Sequence, residues 1–123
     1  VRLLRDATRG GLAAVVNEIG EAAGVTVVLT ESNIPVKPGV RSLCGLLGIE
    51  PLEMANEGCL VAVTAMADAA RVLAAMHAHR DGRQAVLIGR IEEQGVFAAV
   101  LETRLGTRVI LDMPRGEHLP RIC

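Results

Sequence analysis

The stretch GGLAAVVNEIGEAAGVTVVL, residues 10–29, decides the fold. Its first part repeats apolar residues at the spacing of an amphipathic helix and ends at Gly24, which predicts a helix over 10–23. The β-branched run that follows predicts a buried strand over 25–29. The chain therefore opens with a helix and a strand built from aliphatic side chains.

Further elements follow along the chain on the same criteria. Pro38 suits a first helical turn and Gly48 a stop, which predicts a helix over 38–47. A third helix is expected from Asp68 to about residues 81–82. Four more strands are predicted over 59–65, 85–91, 96–101 and 107–111, the last three joined as consecutive hairpins through 93–95 and 104–106. This order predicts an α+β fold, a mixed sheet layered with helices on one face.

Composition excludes several classes of protein. The 123 residues carry 13 Lys+Arg against 14 Asp+Glu, and Phe97 is the only aromatic residue, which argues against nucleic acid as a partner. No apolar run approaches the roughly 18 residues that span a bilayer. Three cysteines without metal-ligand spacing argue against a disulfide scaffold and against a metal site, and they favour a cytoplasmic setting.

The residues DATRGG at 6–11 lead straight into the first helix. Backbone N–H groups at a helix N-terminus attract anions, the paired Gly10 and Gly11 admit a close approach, and Arg9 can bind a phosphate through two hydrogen bonds. A phosphate site is one interpretation. The alternative is that Asp6 or Thr8 merely caps the helix and the glycines form the turn.

Two further stretches can carry chemistry. In ANEG at 55–58, just ahead of a strand, Glu57 is placed for general-base work, although a plain turn is the alternative. The last residue is Cys123, at the end of a segment, 113–123, without helical or strand periodicity, so a mobile tail bearing a thiol is expected there. An accidental exposed thiol is the alternative. Cys44 and Cys59 are predicted to be small buried hydrophobes.

Together, DATRGGLA at 6–13, ANEG at 55–58 and ILDMPRGEHLPRIC at 110–123 closely resemble the C-terminal domain of the HypE family of nickel–iron hydrogenase maturation proteins. The resemblance covers essentially the whole chain, and the terminal Pro-Arg-Ile-Cys is its specific element. The Asp-x-Thr-x-Gly-Gly stretch alone is shared with aminoimidazole ribonucleotide synthetase, selenophosphate synthetase and thiamine-monophosphate kinase. The chain departs from the family at Ala7, where proline is common, and at Cys59, where a basic residue is common.

The resemblance implies a carrier-cysteine mechanism. The carbamoyltransferase HypF places a carbamoyl group on the terminal cysteine, here Cys123, and ATP-dependent dehydration converts it to a thiocyanate. The cyano group then passes to iron on the HypC–HypD complex. Glu57 would be the base, and the nucleotide phosphates would be positioned by Asp6, Thr8, Arg9, Gly10 and Gly11.

The resemblance also implies what the chain lacks. ATP with Mg would be bound mainly by an N-terminal domain preceding Val1, through which the family dimerises, so residues 1–112 would form the C-terminal domain and 113–123 its tail. The chain by itself is then expected to be inactive. The alternatives are a kinase or ribonucleotide ligase domain of the same superfamily and a non-catalytic docking module.

Overall fold

The computed structural model describes residues 1–115. Three α-helices occur in this part of the chain: α1 (Gly11–Ala23), α2 (Pro38–Leu47) and α3 (Ala69–Ala78). Its strands are β1 (Leu3–Asp6), β2 (Val25–Thr30), β3 (Leu60–Val63), β4 (Gly89–Glu93), β5 (Ala99–Glu102) and β6 (Arg108–Ile110). The predicted α+β class is therefore confirmed. No helix within these residues is both long enough and apolar enough to cross a bilayer.

The larger sheet has four strands in the order β4-β2-β5-β6. Strand β2 pairs antiparallel with β4 and parallel with β5, while β5 and β6 form the predicted hairpin. The expected hairpin between 85–91 and 96–101 is wrong, because β2 lies between β4 and β5. Strand β2 has four consecutive buried residues, because it pairs on both of its edges inside the sheet.

Strand β4 begins later than residue 85, where the sequence places it. Ala85 belongs to a turn instead, since its N–H donates to the Gly82 carbonyl over 2.9 Å and its carbonyl lies 2.7 Å from Nε2 of His77. These bonds tie residue 85 to the end of the preceding helical segment. Pairing with β2 starts at Gly89, opposite Leu29.

A separate two-stranded sheet pairs β1 with β3, antiparallel, with Asp6 opposite Leu60. Strand β1 is absent from the sequence-based prediction, because its four residues show no clear alternation of apolar and polar side chains. Leu3, Val61 and Val63 from this sheet pack against the main core. The pairing fixes where the chain enters and leaves the 6–11 and 55–58 stretches.

The core lies between α1 and the face of the four-stranded sheet that it covers. Helix α1 contributes an almost continuous buried surface, because most of its side chains are small or aliphatic, and it ends at Gly24, which has a φ of 62°. The buried cluster comprises Ala7, Ala13, Val15, Val16, Ile19, Val27, Leu29, Leu52, Ala99 and Leu111.

Helix α2 has the predicted bounds and the predicted glycine stop at Gly48. Only part of its expected apolar face is covered by residues 1–115, however. Cys44 is buried with its Sγ 3.2 Å from Sδ of Met54, whereas Leu43 and Leu47 are exposed. The prediction that Cys44 is buried is confirmed, and Cys59 is only partly buried.

Candidate functional site

The fold joins the two stretches that the sequence singles out separately. The Ala7 N–H donates to the Cys59 carbonyl over 3.1 Å, and the Asn56 N–H donates to the Ala7 carbonyl over 2.9 Å. Both bonds continue the β1–β3 pairing beyond the last paired residues. Residues 6–11 and 55–58 therefore form one surface at the end of the small sheet, called the motif edge below.

Close packing of Gly11 against the backbone of residues 52–54 holds the motif edge in place. Gly11 has a φ of 59°, and a Cβ at this position would lie 2.3 Å from the Met54 carbonyl oxygen and 2.6 Å from that of Leu52. Such distances are far inside van der Waals contact, so only glycine allows α1 to start against the 51–54 segment. The glycines thus place the helix N-terminus beside the chain that leads into Glu57.

The capping alternative for Asp6 and Thr8 is wrong. Gly10 is the N-cap of α1, with a φ of 71°, and no side chain caps the helix. The Thr8 carbonyl accepts a hydrogen bond from the Gly11 N–H over 3.4 Å instead. With no side-chain cap, the positive end of the helix dipole is left for another acceptor.

Three charged side chains stand on the motif edge, and the structure leaves them without partners. Asp6, Arg9 and Glu57 are all exposed, and none makes a side-chain hydrogen bond or ion pair within residues 1–115. Thr8 beside them is partly buried. One cation and two carboxylates are therefore exposed around a helix N-terminus, with the partly buried Thr8 beside them.

This set of groups fits a phosphate-bearing ligand in part. Arg9 and the helix N-terminus attract phosphate oxygens, while Asp6 and Glu57 repel them unless a cation intervenes. Magnesium ions that bind nucleotide phosphates commonly use only one or two carboxylates of the protein. Within the described residues no group of three or more His, Cys, Asp or Glu could hold a metal ion by itself.

Two surface cavities among the described residues lie elsewhere. One, of about 260 Å³, is lined by residues including Ile34, Arg41 and Leu101, and the other, of about 260 Å³, by residues including Phe97 and Met113. Neither is lined by Asp6, Arg9 or Glu57. The charged side chains of the motif edge are exposed and lie outside both cavities.

The chain that leads towards Cys123 starts beside the motif edge. The side chain of Pro114 lies 3.5 Å from where a Cβ on Gly10 would stand. Before it, the Leu111 carbonyl accepts a hydrogen bond of 2.7 Å from Nδ2 of the buried Asn17 on α1. Asn17 is not among the predicted site residues, although a lone amide between Val16 and Ile19 in an apolar stripe is a visible signal. Cys123 and most of the predicted tail lie outside the described residues.

The groups with shifted pKa values lie on the outer face of the large sheet. Arg90 and Arg108 each contact both Glu92 and Glu102, at distances of 2.7 to 3.0 Å. Hydrogen bonds from Arg90 and then Arg108 lower the pKa of Glu102 to about 2. The pKa of Glu92 is lowered by Arg108 and then Arg90. These four residues, the charge network below, satisfy one another.

Comparison with known proteins identifies close relatives. The carbamoyl dehydratase HypE of Cupriavidus necator is 51% identical over 123 residues, which is 100% of this chain and 35% of that protein. The carbamoyl dehydratase HypE of Escherichia coli is 49% identical over 124 residues, 36% of its length. The chain thus spans about a third of the relatives it matches.

Solved structures agree with this likeness. A crystal structure of E. coli HypE, a hydrogenase maturation protein, superposes with a TM-score of 0.92 at 47% identity, covering 100% of this chain and 38% of that one. A HypE in complex with ATP gives a TM-score of 0.89 at 38% identity, covering 98% and 37%. A HypE–HypF complex gives 0.85 at 38% identity, covering 91% and 36%.

Residues 1–102 match the family described as AIR synthase related protein, C-terminal domain. This match takes in the whole motif edge and five of the six strands. The chain therefore belongs to the family of AIR synthase related protein C-terminal domains, and within it the chain is similar to HypE proteins along its whole length.

Proposed function

We propose that this chain is the C-terminal part of an ATP-dependent carbamoyl dehydratase of the HypE type, which supplies cyanide to the active-site iron of a nickel–iron hydrogenase. One observation carries the proposal. The Asn56 N–H to Ala7 carbonyl bond joins the two motifs, so that the exposed Glu57 shares a surface with Arg9 and the N-terminus of α1. A base and a phosphate-binding group are the two elements that this dehydration requires.

The substrate is a carbamoyl group carried on the sulfur of Cys123. Its oxygen attacks the γ-phosphorus of ATP, ADP leaves, and the nitrogen gives up one proton to water. The carbon–oxygen bond then breaks and phosphate leaves with the electron pair, while Glu57 takes the second proton from nitrogen. The sulfur ends with a cyano group, and the carbamoyl oxygen ends in phosphate.

The remaining residues of the motif edge position the transferred phosphoryl group. Arg9 and the helix N-terminus stabilise its negative charge, and Gly10 and Gly11 let oxygen atoms approach the backbone. Thr8 supplies a hydroxyl donor, and Asp6 is the carboxylate available to magnesium. ATP with magnesium is bound mainly by the part of the protein that precedes this domain.

Covalent geometry allows Cys123 to reach this surface. The eight residues beyond Arg115 span at most about 26–29 Å when fully extended. Pro114 already lies against Gly10, whose neighbours form the motif edge. We propose that residues 113–123 act as a carrier arm on a domain formed by residues 1–112.

The proposed partners follow from the same chemistry. The carbamoyl group comes from the carbamoyltransferase HypF, and a solved HypE–HypF complex supports this pairing. The cyano group goes to iron on HypC–HypD, and the full-length protein forms a homodimer. A reduced Cys123 is required throughout, which places the reaction in the cytoplasm.

Intact-mass measurement tests the proposal on the full-length protein, meaning this chain joined to the preceding domain. With HypF, carbamoyl phosphate and ATP, we expect Cys123 to gain one carbamoyl group that later loses one water. Cys123→Ser should gain nothing, and the matched control Cys59→Ser should behave as the wild type.

Two outcomes would contradict the proposal. Turnover of a small substrate that survives deletion of residues 121–123 would indicate a kinase or ribonucleotide ligase. Binding to HypC–HypD with no modification of Cys123 would indicate a docking module.

A further inference from the structure

Asn17 is a buried polar residue, 6% exposed, on the face of α1 that packs against the sheet. Its Nδ2 donates to the Ala13 carbonyl over 2.9 Å and to the Leu111 carbonyl over 2.7 Å. An amide nitrogen has two hydrogens, so both are used. One of them ties α1 to a residue 94 positions further along the chain.

Leu111 is held in three ways just after β6. Its side chain is 7% exposed, its N–H donates to the Ala99 carbonyl over 3.1 Å, and its carbonyl accepts from Asn17. It is the last buried residue of the described chain. The bond from Asn17 is therefore the last buried hydrogen bond before the segment that leads to Cys123.

The three residues after Leu111 lead toward the N-terminus of α1. From Asn17 to Gly10 the helix axis rises about 10.5 Å, at about 1.5 Å per residue. From Leu111 to Pro114 an extended chain spans about 10–11 Å. Because Pro114 lies against Gly10 and Leu111 against Asn17, residues 111–114 run back along α1 toward its N-terminus.

We propose that Asn17 is a positioning residue for the chemistry at Cys123, a role that rests on the proposed function. Its hydrogen bond to Leu111 fixes the position beside α1 at which the chain leaves the sheet. The segment that follows Leu111 is thereby directed to the motif edge, where Pro114 lies beside Gly10. Dehydration requires the carried group to meet Glu57 and the phosphoryl donor together. Loading by a separate transferase requires only that Cys123 be accessible.

The test uses the full-length protein and compares Asn17→Ala with Thr26→Val. Thr26 is a matched control, since it is also 6% exposed and its Oγ1 makes two backbone hydrogen bonds, with Phe97 and Gly95. Those bonds hold the loop between β4 and β5 and leave Leu111 untouched. Loading of Cys123 and its dehydration are measured separately in single turnovers, with amide hydrogen exchange on the same samples.

In Asn17→Ala we expect loading at the wild-type rate and dehydration slower by about 10- to 100-fold, because small misplacements are costly. Exchange should be faster at the Leu111 amide. In Thr26→Val exchange should be faster at Gly95, with dehydration unchanged. Equal dehydration rates in the two variants, or an equal loss of loading and dehydration in Asn17→Ala, would overturn the proposal.

A second variant keeps the proposal testable if Asn17→Ala does not fold. One glycine inserted between Asp112 and Met113 lengthens the exposed segment by about 3.3–3.6 Å and leaves the core intact. The same selective loss of dehydration is expected, and unchanged dehydration would overturn the positioning role. A wild-type protein whose Cys123 never gains a carbamoyl group would refute the proposed function instead. In that case, faster amide exchange at Leu111 in Asn17→Ala would still show that Asn17 holds Leu111 in place.

Discussion

The motif edge and the charge network both present charged side chains to solvent, yet they differ in what those charges meet. On the outer face of the large sheet, Arg90 and Arg108 bind Glu92 and Glu102, so each charge has an opposite partner. Between them the centre of β2 is covered, and Val28 is 0% exposed. At the motif edge, Asp6, Arg9 and Glu57 have no side-chain partner within the described residues.

The two regions are also held in different ways. Side chains hold the charge network, whereas backbone hydrogen bonds and glycine contacts hold the motif edge. Charges that neutralise one another contribute to the fold, and charges on a rigid backbone without partners remain available to a ligand. A substitution in the motif edge should therefore leave the charge network intact, and a substitution in the charge network should leave the motif edge intact.

Removing the proposed base gives the largest expected effect. Glu57→Gln in the full-length protein should slow dehydration of carbamoylated Cys123 by about 10²–10⁴-fold, because a general base contributes that much. Stability should hardly change, since the side chain is exposed. Single-turnover mass spectrometry measures the rate, with Glu93→Gln on the other sheet as the control. A rate within error of the wild type would remove Glu57 from the mechanism.

Filling the backbone contact at Gly11 comes next. Gly11→Ala forces a Cβ to within 2.3 Å of the Met54 oxygen at a positive φ, so we expect the free energy of unfolding to fall by about 2–4 kcal/mol. Gly39→Ala is the control, because no atom lies within 4 Å of its Cβ position inside α2, and a gain of up to about 1 kcal/mol is expected. Urea unfolding distinguishes the two. Equal stability of both variants would show that the backbone around Gly11 shifts at little cost to admit the added methyl group.

Arg9→Gln tests the phosphate contact. The KM for ATP should rise about tenfold, as expected for one lost charge-assisted hydrogen-bonding group, with little change in stability. Arg2→Gln, another exposed arginine near the start of β1, should leave the KM unchanged. If both variants raise the KM alike, Arg9 acts only through net charge.

The charge network gives the smallest effect and a pH dependence. The pKa of Glu102 lies at about 2 in the folded chain against an ordinary value of 4.5. Its contribution to stability is therefore present above pH 4.5 and lost as the pH falls towards about 2. The urea midpoint of the wild type should exceed that of Glu102→Gln, and this difference should shrink as the pH falls over that range. Added salt should reduce the difference further. An advantage that stays constant down to pH 2 would contradict the network, and dehydration at neutral pH should be the same in both proteins.

Local patterns were sufficient to predict α1 and α2 to within one residue, whereas α3 ends at Ala78 rather than at the predicted residues 81–82. The apolar spacing of α1, the proline at the start of α2 and the glycines after both helices act within a few residues, and the structure confirms these bounds. Strand order depends instead on which partners bury the most apolar surface. The placement of β2 between β4 and β5 was therefore beyond the reach of a hairpin prediction made from neighbours along the chain.

The site shows the same division. The sequence marked 6–11 and 55–58 separately, but only the unpredicted strand β1 brings Ala7 into contact with Asn56 and Cys59. Asn17 was missed because its partner Leu111 is 94 residues away. Residue chemistry was readable from the sequence, whereas contacts between distant residues required the fold.

In the proposed reaction, phosphoryl transfer at the motif edge activates the carbamoyl oxygen on Cys123. Full-length protein carrying a carbamoyl group with heavy-isotope oxygen on Cys123 is allowed one turnover with unlabelled ATP, and the products are examined by mass spectrometry. We expect the heavy oxygen to be found in inorganic phosphate and the sulfur of Cys123 to carry a cyano group. Label released as water, or unlabelled phosphate with the carbamoyl group intact, would contradict the proposed reaction.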